Sequence, residues 1–215
     1  MLDPNSVLFK IVVGLPAFLL AIILHEVAHG YVAYRCGDDT AKLAGRLTLS
    51  PLPHLELVGT LMFIISSLAG FGFGWAKPVP INPNRFRHFR RDHILVSLAG
   101  VATNLAQAIV WSLLLRLALR FGPPSTFTDA FVMFCDYATF INIVLLVFNL
   151  LPIPPLDGWH VFTQTLRIAY TSSVMRFEQS GFILLFVLMY LGIFRPVLTY
   201  VIRPIYDLLL PPSLF

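Results

Sequence analysis

Charge is scarce in this chain. Asp, Glu, Lys and Arg make up only 12% of its 215 residues, against 57% hydrophobic ones, which is too little polar surface to coat a soluble globule of that size. The mean hydropathy of +0.79 places the chain in a bilayer. Cysteine is nearly absent too. Cys36 and Cys135 lie far apart with no CxxC spacing, which excludes a disulfide scaffold and a cysteine zinc site. There is no internal repeat, low-complexity tract or long polar linker. The expected organisation is therefore one polytopic membrane domain over 1–215, with a core over 7–158 and a C-terminal membrane segment at about 180–203. The net charge of +4 does not indicate nucleic acid, because the basic residues sit beside apolar segments, where positive-inside anchoring accounts for them.

Four apolar stretches are long enough to span: Val7 to Tyr34, Ile94 to Leu119, Phe131 to Leu151, and Phe182 to Ile202, which Arg195 and Pro196 interrupt. Lys10 ahead of the first run gives it the look of an export signal, but the run is too long and lacks an Ala-x-Ala site, so a retained span is expected. A fifth stretch, Leu55 to Trp75, lies between two basic loops, one with Arg35, Lys42 and Arg46 and one with Lys77, Arg85, Arg87, Arg90 and Arg91. A full crossing there would put these loops on opposite faces, against the charge rule. Gly70, Gly72 and Gly74, followed by Pro78, Pro80 and Pro83, suit a segment that bends back. The fold class expected is thus all-α integral membrane, with about four transmembrane helices, a re-entrant or short extra segment over 55–75, and little β.

Within the first span runs Leu24-His25-Glu26-Val27-Ala28-His29-Gly30. Residues four apart share a helical face, so the imidazoles of His25 and His29 can reach one ion, while Glu26 stands about 100° around the helix, placed to take a proton from metal-bound water. Two histidines and a glutamate in an apolar span cost several kcal/mol, on the order of 3 each at the helix centre, unless a partner such as a dication compensates them. Hydrogen bonding within a helix bundle is the plainer way to satisfy them. Catalytic zinc takes three protein ligands. A candidate third lies in Asn149-Leu150-Leu151-Pro152-Ile153-Pro154-Pro155-Leu156-Asp157-Gly158, where the prolines end helical bonding and Gly158 allows a turn that aims Asp157 inward. Read alone, such a run is also an ordinary turn at a membrane exit.

Together the two motifs resemble the site-2 protease family of intramembrane metalloproteases, whose pattern is HExxH on one span and Asn-x-x-Pro-x-x-x-Leu-Asp-Gly on a later one. Ala44 to Thr48 and Phe73 to Pro80 look like its compact bacterial branch without a PDZ domain. Where relatives often carry Gly-Pro-x-x-Asn, this chain reads Gly100-Val101-Ala102-Thr103-Asn104. The resemblance implies one catalytic Zn2+ held by His25, His29 and Asp157, with Glu26 as the catalytic carboxylate. It also implies that Asn149, and with it Asn104, holds the substrate backbone or the developing oxyanion. The implied substrate is a transmembrane helix of another protein, cut near its cytoplasmic end, and the implied location is the bacterial plasma membrane with the site toward the cytoplasm. Exposed strand-like backbone around Phe71 to Lys77 is expected to hold that helix once it unwinds. Homo-oligomers and an accessory regulator stay open.

The remaining polar residues are read as follows. His54 and Glu56 are expected at the interface, His88 and His93 in solvent, His160 beside the metal or at the interface, and Asp136 at the opposite face. Rival readings are a membrane zincin with His54 or Glu56 as third ligand, a metal transporter, and a silent scaffold. The third and fourth spans offer a transporter few polar groups, and a scaffold would not need the whole cluster.

Overall fold

The computed structural model describes residues 10–68, 74–169 and 171–210. A π-helical turn, Lys10–Gly14, leads into α1 (Leu15–Arg35), which has a proline in its first turn, where a missing N–H costs nothing. Further helices are α2 (Leu57–Leu68), α3 (Phe89–Phe121), α4 (Thr126–Asn149), α5 (Asp157–Thr165), α6 (Ser172–Gln179), α7 (Gly181–Tyr190) and α8 (Arg203–Leu209). No strand occurs among the described residues, as the all-α expectation requires.

Among the described residues, three helices are long and apolar enough to cross a membrane: Val12–Arg35, Phe89–Phe121 and Thr126–Asn149. The central one, α3, packs against α1, α4 and α5. It begins five residues ahead of the expected span, at Phe89, because Asp92 anchors its first turn by accepting from the His88 N–H at 2.8 Å. α4 is capped by Ser125, whose hydroxyl accepts from the Thr128 N–H at 3.1 Å. The Arg35 end of α1, the Phe89 end of α3 and the Asn149 end of α4 all lie toward the same face, and α5 folds back there against α3.

Among the described residues, no helix over 55–75 is long enough to cross. α2 has 12 residues, about 18 Å of helix against a hydrocarbon core of about 30 Å. The Lys77 N–H donates to the His54 carbonyl at 2.9 Å, so the chain enters and leaves this segment at one level. His54 is therefore not an interfacial anchor. It is 1% exposed, and its Nε2–H donates to the Thr48 carbonyl at 2.9 Å, tying the turn that starts the segment. Glu56 accepts from the Gly59 N–H at the start of α2. Residues 69–73, which include Gly70, Phe71 and Gly72, lie outside the described residues.

The stretch from Phe182 to Ile202 is not one helix. α7 has ten residues, and Gly192 then turns the chain with φ +70. Helix resumes at Arg195 with Pro196 in its first turn. A fourth crossing is instead offered by α6 and α7, joined at a 50° bend.

Candidate metal centre

His25 and His29, both 6% exposed, project from one face of α1 toward α3. The helices meet closely because residue 100 is glycine: a Cβ there would lie 2.5 Å from His25 Cε1 and from His29 Nε2. Asp157 opens α5, and a Cβ on Gly158 would lie 2.4 Å from the Leu150 carbonyl oxygen, so a small residue lets this turn close against the exit of α4. These contacts bring Asp157 Oδ2 to 3.3 Å from Nε2 of both histidines, which are themselves 2.9 Å apart.

The hydrogen bonds behind the rings determine what faces inward. His29 Nδ1 lies 2.7 Å from the Val96 carbonyl, which only accepts, so Nδ1 carries the proton. His25 Nδ1 lies 2.6 Å from Asn104 Oδ1. Asn104 Nδ2 donates to Asn142 Oδ1 at 2.9 Å, and Asn142 Nδ2 donates to the Ala138 carbonyl at 2.8 Å. This chain fixes the direction of every amide and leaves His25 also protonated at Nδ1. In the neutral rings both Nε2 atoms then present bare lone pairs to a carboxylate oxygen that is buried and accepts no hydrogen bond. A proton could bridge only one pair of these acceptors, whereas a dication satisfies all three. Two imidazoles and one carboxylate are the donor set of a catalytic zinc with an open position, so the residues fit that ion.

Among the described residues, His25, His29 and Asp157 form the one group whose ligand atoms lie together, all within 4.8 Å. Glu26 is the next residue along α1, and its Oε2 accepts from the Val79 N–H at 2.7 Å.

The family described as peptidase family M50 matches residues 119–192. YwhC of Bacillus subtilis, named as a zinc metalloprotease, is 39% identical over 172 residues, which cover 79% of this chain and 76% of that protein. The chain belongs to peptidase family M50. Rip2 of Mycolicibacterium smegmatis, with the same type of name, is 32% identical over 188 residues, or 86% of this chain and 70% of its own. Rip2 of Mycobacterium tuberculosis is 35% identical over 181 residues, covering 82% and 66%. No solved structure matches the chain.

The other expected site residues of this M50 peptidase are not part of the His25, His29 and Asp157 group. Asn104 is fully buried behind His25, its amide committed to His25 and Asn142. Asn149 ends α4, half-buried, with Nδ2 donating to the Leu145 carbonyl at 3.0 Å. His54 and Glu56 are occupied at the turn into α2. His93 is not solvated. It lies in α3, one turn before Val96, with its ring stacked on His160 at 5.0 Å, and burial lowers the His160 imidazole below its ordinary value. Asp136 accepts from the Tyr206 hydroxyl at 2.6 Å.

Sequence reasoning missed Asn142 and the Val96 carbonyl. An asparagine midway along an apolar span is a detectable signal for the first. A backbone carbonyl gives none. The described part of the expected strand-like segment, from Gly74 on, forms neither helix nor strand. Both backbone groups of Lys77 are already taken, the N–H by His54 and the carbonyl by Arg46 Nη2 at 2.6 Å.

Proposed function

We propose that the zinc of this M50 metalloprotease is held by His25, His29 and Asp157, and that Glu26 is its general base. The convergence of two bare Nε2 atoms and a buried, unbonded carboxylate oxygen on one point carries this reading. When bound, the ion supplies the Lewis acidity that brings a water near ionisation at neutral pH. Glu26 takes the proton of that water and delivers it to the leaving amide nitrogen. The Val79 N–H holds one oxygen of Glu26 and leaves the other for the proton. Asn104, Asn142 and the Val96 carbonyl act as positioning groups, holding each imidazole in the tautomer that offers Nε2.

The substrate in this reading is the transmembrane segment of another protein, cut toward its cytoplasmic end in the plasma membrane. Its helix must unwind locally, because helical carbonyls are bonded internally. The basic loops that border the site, with Arg35, Lys42 and Arg46 before α2 and Arg85 to Arg91 after it, support the cytoplasmic placement.

X-ray absorption at the zinc edge tests the ligand set. Purified protein is expected to show one zinc per chain with two imidazoles and oxygen donors. A shell without imidazole scattering would refute the assignment. A cysteine placed at exposed Ser50 is expected to react with an impermeant maleimide only in inside-out vesicles. Labelling of intact cells would put the site on the other face.

A further inference from the structure

On the face that carries the basic loops, a solvent-open basin of about 790 Å3 is lined by Tyr34, Arg35, Gly37, Asp39, Arg85 and Arg87. Two separate stretches build it. Arg35 is the last residue of α1, so the basin lies where a spanning helix leaves the hydrocarbon, at headgroup depth. The loop after α2 supplies the opposite wall. The Arg87 N–H donates to the Cys36 carbonyl at 3.0 Å, and a Cβ on Gly37, at φ +111, would lie 3.0 Å from the Arg85 carbonyl oxygen. Glycine therefore lets the two stretches close on one another.

Three guanidinium groups face a single carboxylate here. Asp39 pairs with Arg85, while Arg35 and Arg87 have no ion pair among the described residues. Lys42 adds a fourth cation at the rim, donating to the Tyr34 hydroxyl at 3.0 Å. Unpaired arginines in a concave site at the end of a span are suited to a phosphate anion, which takes bidentate hydrogen bonds from guanidinium. Free phosphate shares that chemistry, but the depth of the basin and the half-exposed Tyr34 ring favour a phosphate tethered to acyl chains.

The basin wall and the anchor of Glu26 belong to one short stretch, residues 79–87. The Val79 N–H binds Glu26 Oε2 at 2.7 Å, the Asn82 N–H binds buried Asp38 Oδ2 at 2.6 Å, and Arg85 and Arg87 line the basin. We propose that this basin binds the headgroup of an anionic phospholipid, and that occupancy steadies the stretch that holds Glu26. The first half stands whether or not Glu26 is the base. The link to catalysis rests on that reading.

The test uses the full chain in detergent, with phosphatidylglycerol or phosphatidylcholine added and retained lipid read by native mass spectrometry. One phosphatidylglycerol is expected to stay bound in preference to phosphatidylcholine. The double variant Arg35→Gln, Arg87→Gln is expected to weaken it by roughly thirtyfold, and Asp39→Asn to tighten it by roughly fivefold, a gain that misfolding would not mimic. Hydrogen exchange at the Val79 amide is expected to slow with phosphatidylglycerol in the wild type and not in the double variant. Equal retention of both lipids, or retention unchanged in the double variant, overturns the site. Displacement and equal Val79 protection by inorganic phosphate overturn the lipid assignment. Binding with unchanged Val79 exchange overturns the coupling, and zinc content measured alongside separates these outcomes from loss of the metal centre.

Discussion

Glu26→Gln is expected to lower proteolysis of a membrane-embedded substrate by roughly 100- to 10,000-fold while zinc content stays at the wild-type level. The substitution keeps the shape of the side chain and an oxygen that can still accept from the Val79 N–H, so the segment over 74–80 keeps its anchor. What it removes is the group that takes the proton, which corresponds to about 3–5 kcal/mol of barrier at these rates. Comparing membrane fractions of cells carrying wild type or variant, with zinc measured in the same preparations, reads both quantities. Near-wild-type cleavage would end the general-base assignment. Loss of zinc together with activity would show that Glu26 acts on the metal site rather than on the water.

Asp157→Ala is expected to weaken zinc binding by more than roughly 100-fold, because outer-shell partners of zinc ligands already cost 10- to 100-fold and this residue is proposed as a ligand itself. The effect is distinctive because His25 and His29 stay locked by Asn104 and the Val96 carbonyl. The variant therefore leaves two lone pairs 2.9 Å apart with one charge fewer to offset a dication. Competition with a chelator of known affinity measures the change. Unchanged affinity would remove Asp157 from the ligand set and return His54 or Glu56 to consideration.

Much of the centre was legible because its signals are local. The four-residue spacing of His25 and His29 is a helical face, and the proline run before Asp157 announces a break at which a side chain can turn inward. The expectation that the 55–75 segment bends back came from charge together with its glycine and proline runs, and the bond from Lys77 to His54 holds the two ends of that segment at one level. The supporting groups were not legible in the same way. Asn104 pairs with His25 across 79 residues and with Asn142 across 38, and no local pattern encodes such pairings. His93 was misread because its neighbours Arg90, Arg91 and Asp92 suggest a wet loop. The capping of the first turn by Asp92 instead draws this stretch into α3 and turns His93 onto His160. Arg195 and Pro196 already marked the C-terminal run as interrupted, and the left-handed Gly192 divides it just ahead of them.

The long separation between the HExxH helix and α5 also bears on how the protein is made. The proposed ligands come from residues 25, 29 and 157, so more than a hundred positions must be translated after the first pair before the third exists. At ribosomal speeds that interval is on the order of ten seconds. Throughout it, on the proposed ligand set, the nascent polypeptide carries two imidazoles and an acid inside the lipid without its third metal ligand. With that ligand set, competence waits on α5 folding back against α3, well after the HExxH helix has entered the bilayer.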